Sequence, residues 1–171
     1  NRVMGAEGLK KKLVQWSRKV GDEWAEETLA GHSLSVVLRL KYGIADLLVF
    51  RKIRKAVGGR IRYFVSGGAP LAPDINLFFF SAGVWIFEGY GLTETSPVTN
   101  VNTFEDFKIG TVGKPIPGTE IGIGENGEIL VRGPQVMKGY YNLHEQTAKV
   151  LDPGGWFHTG DVGEIDEDDV H

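Results

Sequence analysis

Two glycine-rich turns at either end of one short helical stretch constrain this chain more than anything else in its sequence. Residues 60–65 are β-prone and run at once into Ser66-Gly67-Gly68-Ala69-Pro70. Pro73 opens a helix through about Ala82, because proline is tolerated in a first turn, and Gly83 closes it. The apolar residues 84–87 then return as a strand and deliver Glu88-Gly89-Tyr90-Gly91. Strand, helix and strand in that order predict a right-handed parallel crossover with both glycine turns at one sheet edge, where open α/β folds hold their ligands. The two turns are expected to meet around one ligand.

The residue types after the second strand suggest which ligand. Glycine lets backbone come close to a bound molecule, and Tyr90 offers a flat face for a base. Beyond Gly91 and Leu92, the hydroxyls of Thr93 and Thr95 can donate to phosphate oxygens. Glu94 supplies the hard oxygen that a phosphate-bound Mg²⁺ prefers. Taken alone, Tyr90 could equally be a packed core tyrosine, the 66–70 stretch a tight loop and Asp161 a turn or capping residue.

Elsewhere the pattern is structural. Over residues 6–29 the apolar residues Leu9, Leu13, Trp16, Val20 and Trp24 recur at steps of three or four, an amphipathic helix whose tryptophans pack into a core. Gly31 ends it, and Ser33 can cap the next. Residues 34–57 predict one or two more helices, interrupted near Gly43 and stopped by Gly58-Gly59. Successive Leu77-Phe78-Phe79-Phe80 cannot all face one side, so some must touch another surface. After Pro97 the texture turns to Gly- and Pro-rich loop, then to two short strands, 119–123 and 128–132, flanking Asn126-Gly127, a favoured pair for a tight hairpin. Residues 142–151 suggest a short helix, 152–155 a turn and 156–165 a last strand. The expected fold class is α/β: a parallel-sheet βαβ subdomain with flanking helices over 1–100, then a small, mostly antiparallel β subdomain over 101–171.

A net charge of −3 gives no footprint for nucleic acid, and with no cysteine there is neither a disulfide framework nor a thiolate nucleophile. Nowhere do about 18 consecutive apolar residues occur. A cytoplasmic setting is expected, with any membrane association peripheral. Lys10-Lys11-Lys12 is expected on a solvated helix face, His158 as a packed, hydrogen-bonded histidine, and Asp166-Glu167-Asp168-Asp169 as a solvated acidic end. The glycines of 122–127 imitate a dinucleotide fingerprint but occupy a hairpin with no following helix. Gly110 to Pro115 lacks the spacing of a phosphate-binding loop.

Tyr90-Gly91-Leu92-Thr93-Glu94 resembles the Tyr-Gly-Leu-Thr-Glu signature of the adenylate-forming, or AMP-binding, enzymes, the superfamily of acyl-CoA synthetases, luciferases and peptide-synthetase adenylation domains. Ser66-Gly67-Gly68-Ala69-Pro70-Leu71, Gly127-Glu128-Ile129-Leu130-Val131-Arg132-Gly133 and Trp156-Phe157-His158-Thr159-Gly160-Asp161 are similar to three further signatures, in the family's order. Lys41-Tyr42-Gly43 through Gly58-Gly59-Arg60, together with Val136-Met137-Lys138-Gly139-Tyr140-Tyr141, look most like long-chain fatty acid–CoA ligases.

The resemblance implies that Gly67, Gly68, Ala69 and Pro70 lie along adenine and the acyl cleft. Tyr90 would stack beside adenine, with Glu88, Gly89, Gly91 and Leu92 in the same loop. It gives Thr93 the α-phosphate, Glu94 the Mg²⁺-associated carboxylate and Asp161 the ribose hydroxyls. The implied reaction is two-step: a fatty acid carboxylate attacks the α-phosphate of ATP, releasing pyrophosphate, and the CoA thiol then displaces AMP. The family's phosphate loop and its small carboxy-terminal domain with the catalytic lysine have no counterpart in these residues. The expectation is therefore a piece of the large amino-terminal domain, inactive or nearly so until other parts of the same polypeptide complete it. Another acyl- or aryl-CoA synthetase and a non-catalytic nucleotide-binding module are the competing readings.

Overall fold

The computed structural model describes residues 8–166. The chain divides into two compact units, one taking the chain up to Phe64 with Leu71–Ile86, the other Val65–Pro70 with everything from Phe87 onward. That division differs from a cut at residue 100, because strand pairing joins the glycine-bearing strand to the residues that follow it.

In the first unit α1 spans Leu9–Leu29. Val20 and Ala25 are buried, and Leu13, Trp16 and Trp24 pack against the same core, as the three-to-four spacing requires. Trp24 stacks on Tyr42 with ring centroids 4.3 Å apart, so this tryptophan is core. Gly31, at φ 70°, ends the helix, with His32 N–H donating to the Glu27 carbonyl and Gly31 N–H to Thr28, the paired bonds of a left-handed cap. Lys10, Lys11 and Lys12 are exposed.

The next helix, α2, is Val36–Ala45, and its cap is Ser35, whose hydroxyl accepts from Leu38 N–H at 3.2 Å. Ser33 is not the cap because it lies outside the turn that the helix leaves open. Nor does Gly43 interrupt the helix: α2 passes through it and runs into a π-helical stretch, Asp46–Phe50, and then α3, Arg51–Ala56. Phe50 and Ala45 are fully buried here with Val49 and Leu38. A Cβ on Gly21 would sit 2.7 Å from the Phe50 ring, so glycine is what lets α1 approach this stretch. Helix α4, Pro73–Ser81, packs on α1, with Phe80 buried and Arg18 over the Phe78 ring. Tyr42 Oη donates to the Ser81 carbonyl at 2.8 Å, and burial pushes its pKa up to about 12. Arg54 pairs with Asp46 at 2.7 Å and donates to the Ala82 carbonyl at 2.7 Å, tying the end of α4 to the π-helical turn.

One sheet has the order β1 (Tyr63–Ser66), β2 (Trp85–Gly91), β3 (Val98–Val101) and β4 (Lys114–Pro115), with the β2–β3 and β3–β4 pairs antiparallel. The strand–helix–strand segment thus returns to a neighbouring position, as expected of an α/β chain. Two features of this sheet depart from expectation. Strand β2 runs on through Glu88-Gly89-Tyr90-Gly91 instead of ending at Phe87, because β3 pairs with it there, Gly89 opposite Val101 and Tyr90 opposite Asn100. And β3 itself lies in what looked like loop: its buried Thr99 and Asn100, followed by Asn102, carry no apolar alternation. They serve as backbone clamps, Asn100 Nδ2 donating to the Gly113 carbonyl and Asn102 Nδ2 to that of Thr111.

The second sheet is antiparallel throughout, β5 (Glu120–Ile123), β6 (Glu128–Arg132) and β7 (Phe157–Val162). The β5 and β6 strands are joined by a loop longer than a two-residue turn, in which Gly127 N–H donates to the Gly124 carbonyl at 3.3 Å and Gly124 N–H to that of Glu128 at 2.8 Å, with Asn126 (φ 61°) and Gly127 (φ 78°) both at positive φ. Val131 and Phe157 are the buried centre of this sheet. The short α5, His144–Val150, precedes β7. Among the described residues no helix is long and apolar enough to cross a membrane.

Candidate functional site

The residues singled out in the sequence fall in the second unit. At the end of β1 the chain turns through Gly67 and Gly68, the latter at φ 84°, and Gly67, Gly68, Ala69 and Pro70 are exposed. A Cβ on Gly67 would lie 3.4 Å from the Gly89 carbonyl oxygen, so the two glycine segments touch. The contact is between the segment that follows β1 and a glycine inside the neighbouring strand β2, not between two turns.

The glycines beside Tyr90 have a reason of their own. A Cβ on Gly91 would run into the Pro97 carbonyl, and one on Gly89 would come within 3.1 Å of the Asn100 carbonyl oxygen. Both are small because β3 crosses close to β2. Between them Tyr90 projects a half-buried ring whose Oη donates to Asp161 Oδ2 at 2.6 Å. Burial first, and then this bond to a carboxylate, raise the phenol's pKa, so it remains a donor.

Asp161 is held in place from its own strand. Its N–H donates to Thr159 Oγ1 at 3.1 Å, and Thr159 in turn donates to the Ile129 carbonyl on β6 at 2.8 Å. One residue earlier, Gly160 N–H donates to Glu128 Oε1 at 3.0 Å, while the other oxygen of Glu128 meets His158 Nδ1 at 3.0 Å. The His158 bond, then that from Gly160, hold the Glu128 carboxyl below the usual carboxylate range. His158 is the hydrogen-bonded histidine expected, and its partner sits at a register irregularity between Glu128 and Leu130. The acid run ends differently: Asp166 pairs with Lys108 at 2.6 Å, and residues 167–169 lie outside the described residues.

The turn after β2 sorts its hydroxyls into two kinds. Thr95 is fully buried, and its Oγ1 is consumed within the turn, accepting from Leu92 N–H at 2.9 Å and lying 2.7 Å from the Pro97 carbonyl. It cannot serve a phosphate, as its position in the motif suggested, because its donor is already spent on backbone. Thr93 is exposed, and among the described residues its hydroxyl makes no bond of that kind. Glu88 is buried within β2. Glu94 is half-buried, its Oε1 accepting from Tyr140 Oη at 2.9 Å and its backbone carbonyl from Met137 N–H at 2.7 Å. No reading of the sequence pointed to Tyr140 as a contact of Glu94, since 46 positions separate the two and neither carries a local pattern for the other.

Among the described residues no group of three or more His, Asp or Glu side chains could hold a metal by itself. A single carboxylate still suits Mg²⁺, which keeps several waters and binds through one or two carboxylates together with substrate phosphates.

Residues 4–141 match the family model described as AMP-binding enzyme. The chain belongs to that family. It is 47% identical over 146 residues to the long-chain-fatty-acid–CoA ligase FadD15 of Mycobacterium bovis, covering 85% of this chain and 24% of that protein. It is 35% identical over 174 residues to the long-chain-fatty-acid–CoA ligase ACSBG2 of Xenopus laevis, covering 97% of this chain and 23% of that one. Among solved structures, the anthranilate CoA ligase AuaEII in complex with anthranoyl-AMP superposes with a TM-score of 0.60 at 26% identity, over 64% of this chain and 23% of that chain. This AMP-binding chain thus spans about a quarter of the length of the curated relatives it matches, 24% and 23%.

Proposed function

We propose that this AMP-binding chain is the adenosine-holding portion of an ATP-dependent long-chain fatty acid–CoA ligase, whose substrates are a fatty acid, ATP and CoA. The observation that carries the reading is the hydrogen bond between Tyr90 and Asp161, 71 positions apart, in the unit where Gly67 lies against Gly89. A flat ring beside a fixed carboxylate suits a nucleoside: the ring stacks on the base, and the carboxylate accepts two ribose hydroxyls. The names of the two long-chain ligase relatives support the acyl class.

In this account the Gly67–Pro70 turn borders adenine and the acyl cleft, Tyr90 stacks on the base, and Asp161 takes the ribose. Thr93 donates to the α-phosphate. A fatty acid carboxylate oxygen bonds to the α-phosphorus while the bond to pyrophosphate breaks; the CoA thiol, losing its proton, then attacks the acyl carbonyl and AMP leaves. Mg²⁺, when bound, neutralises charge on the phosphate oxygens, with Glu94 as its carboxylate. The protein's own share is to orient the reactants and to place donors where charge develops.

An acyl panel tests this in the whole polypeptide that carries the chain, with ATP and CoA supplied and thioester and pyrophosphate measured. Turnover that rises toward long chains is expected. Preference for aryl or short acids would move the assignment to another synthetase class, and nucleotide binding without pyrophosphate release for any acid would leave a binding module.

A further inference from the structure

Glu94 is gripped from outside its own turn at two points, and both come from the segment Met137–Tyr140. Met137 N–H donates to the Glu94 carbonyl at 2.7 Å, and Tyr140 Oη to Glu94 Oε1 at 2.9 Å. That segment is itself anchored. Tyr140 N–H donates to Thr147 Oγ1 at 2.9 Å, and Thr147 donates to the Leu143 carbonyl at 2.9 Å, which fixes the loop to α5. Gly139, at φ 143°, is what allows the approach, since a Cβ there would meet the Thr147 methyl at 2.7 Å. The neighbouring Tyr141 is 91% exposed and holds nothing comparable.

A carboxylate with one oxygen tied to a neutral donor presents the other in a fixed direction. Among the described residues no side chain or backbone donor reaches Glu94 Oε2. Partners of this kind, one step behind a metal-associated carboxylate, orient it and tune its affinity.

We propose that Tyr140 is a positioning residue for the nucleotide-bound Mg²⁺, holding Glu94 so that Oε2 faces the metal, with Gly139 and Thr147 bracing it. The proposal rests on the assignment of Glu94 as the Mg²⁺-associated carboxylate. Its test is the affinity for α,β-methylene-ATP measured by calorimetry across a series of free Mg²⁺ concentrations, with melting temperatures alongside. For Tyr140→Phe the Mg²⁺ midpoint should rise about tenfold with no change in nucleotide affinity at saturating Mg²⁺. Thr147→Val should move it in the same direction by less, and Tyr141→Phe should match the unaltered protein. In a Glu94→Gln background Tyr140→Phe should add nothing. An unchanged midpoint for Tyr140→Phe, or an equal shift in the Glu94→Gln background, overturns the positioning role. If Glu94→Gln alone keeps the original midpoint, the assignment of Glu94 fails, and that outcome is distinct from failure of Tyr140.

Discussion

Tyr90 Oη and Asp161 Oδ2 lie 2.6 Å apart, so the two side chains assigned to base and ribose hold each other. A ribose that enters must share or displace that bond. Tyr90→Phe keeps the ring and frees the carboxylate, and ATP affinity should be unchanged or tighter. Asp161→Asn should weaken it about tenfold or more, as expected when a charge-assisted hydrogen bond worth roughly 1.5–3 kcal/mol is lost. Titration calorimetry with both variants checks this. Equal weakening would mean that the pair acts as one structural unit.

The glycines of the site divide by what a methyl group would meet. Gly91→Ala forces the Pro97 backbone to move and should cost about 1–3 kcal/mol, a fall of roughly 3–10 °C in melting temperature for a chain of this size. Gly67→Ala meets the Gly89 carbonyl at ordinary contact distance, 3.4 Å, and should melt near the unaltered protein while lowering ATP affinity. Scanning both by calorimetry separates the glycine that the sheet needs from the one that the ligand needs.

The first of these would not have been deduced from the sequence. Helix α1, its stop at Gly31, the Pro73 start of α4 and the Asn126-Gly127 hairpin all follow from local chemistry, and they were legible. Strand β3 was not, since Thr99, Asn100 and Asn102 are buried through hydrogen bonds to distant backbone, which leaves no apolar period to find. For the same reason Thr95 looked like a phosphate donor, and Tyr140 passed as part of a family motif with no role. Contacts made across 46 or 71 positions leave no trace in local spacing.

Glu128 should give the chain an acid-sensitive component. Its carboxyl is held low by His158 and Gly160 N–H in the folded state. An unfolded glutamate titrates near about 4.3, so the stabilisation is whole above that pH and is lost as pH falls through the lower folded-state value. Glu128→Gln should therefore melt lower than the unaltered protein at pH 7, and the two should converge below that value. Circular dichroism melts at several pH values check it; a constant difference at every pH would contradict the linkage.

Ser17 is fully buried in α1, and its Oγ finds no hydrogen-bond partner among the described residues. Ser17→Ala removes a desolvated hydroxyl at no loss of contact volume beyond one atom. Stability should stay level or rise by up to about 1–2 kcal/mol, read from urea unfolding midpoints. A clear loss would show that the hydroxyl is serving an unseen partner.

Amide chemical shifts of the isotope-labelled chain, followed while ATP is added to millimolar concentration, bear most directly on the adenosine site. The account predicts saturable shifts concentrated at Gly67–Ala69, Gly89–Thr93 and Thr159–Asp161, and their loss in Asp161→Ala. Shifts confined to other residues, or a pattern that Asp161→Ala leaves intact, would contradict it.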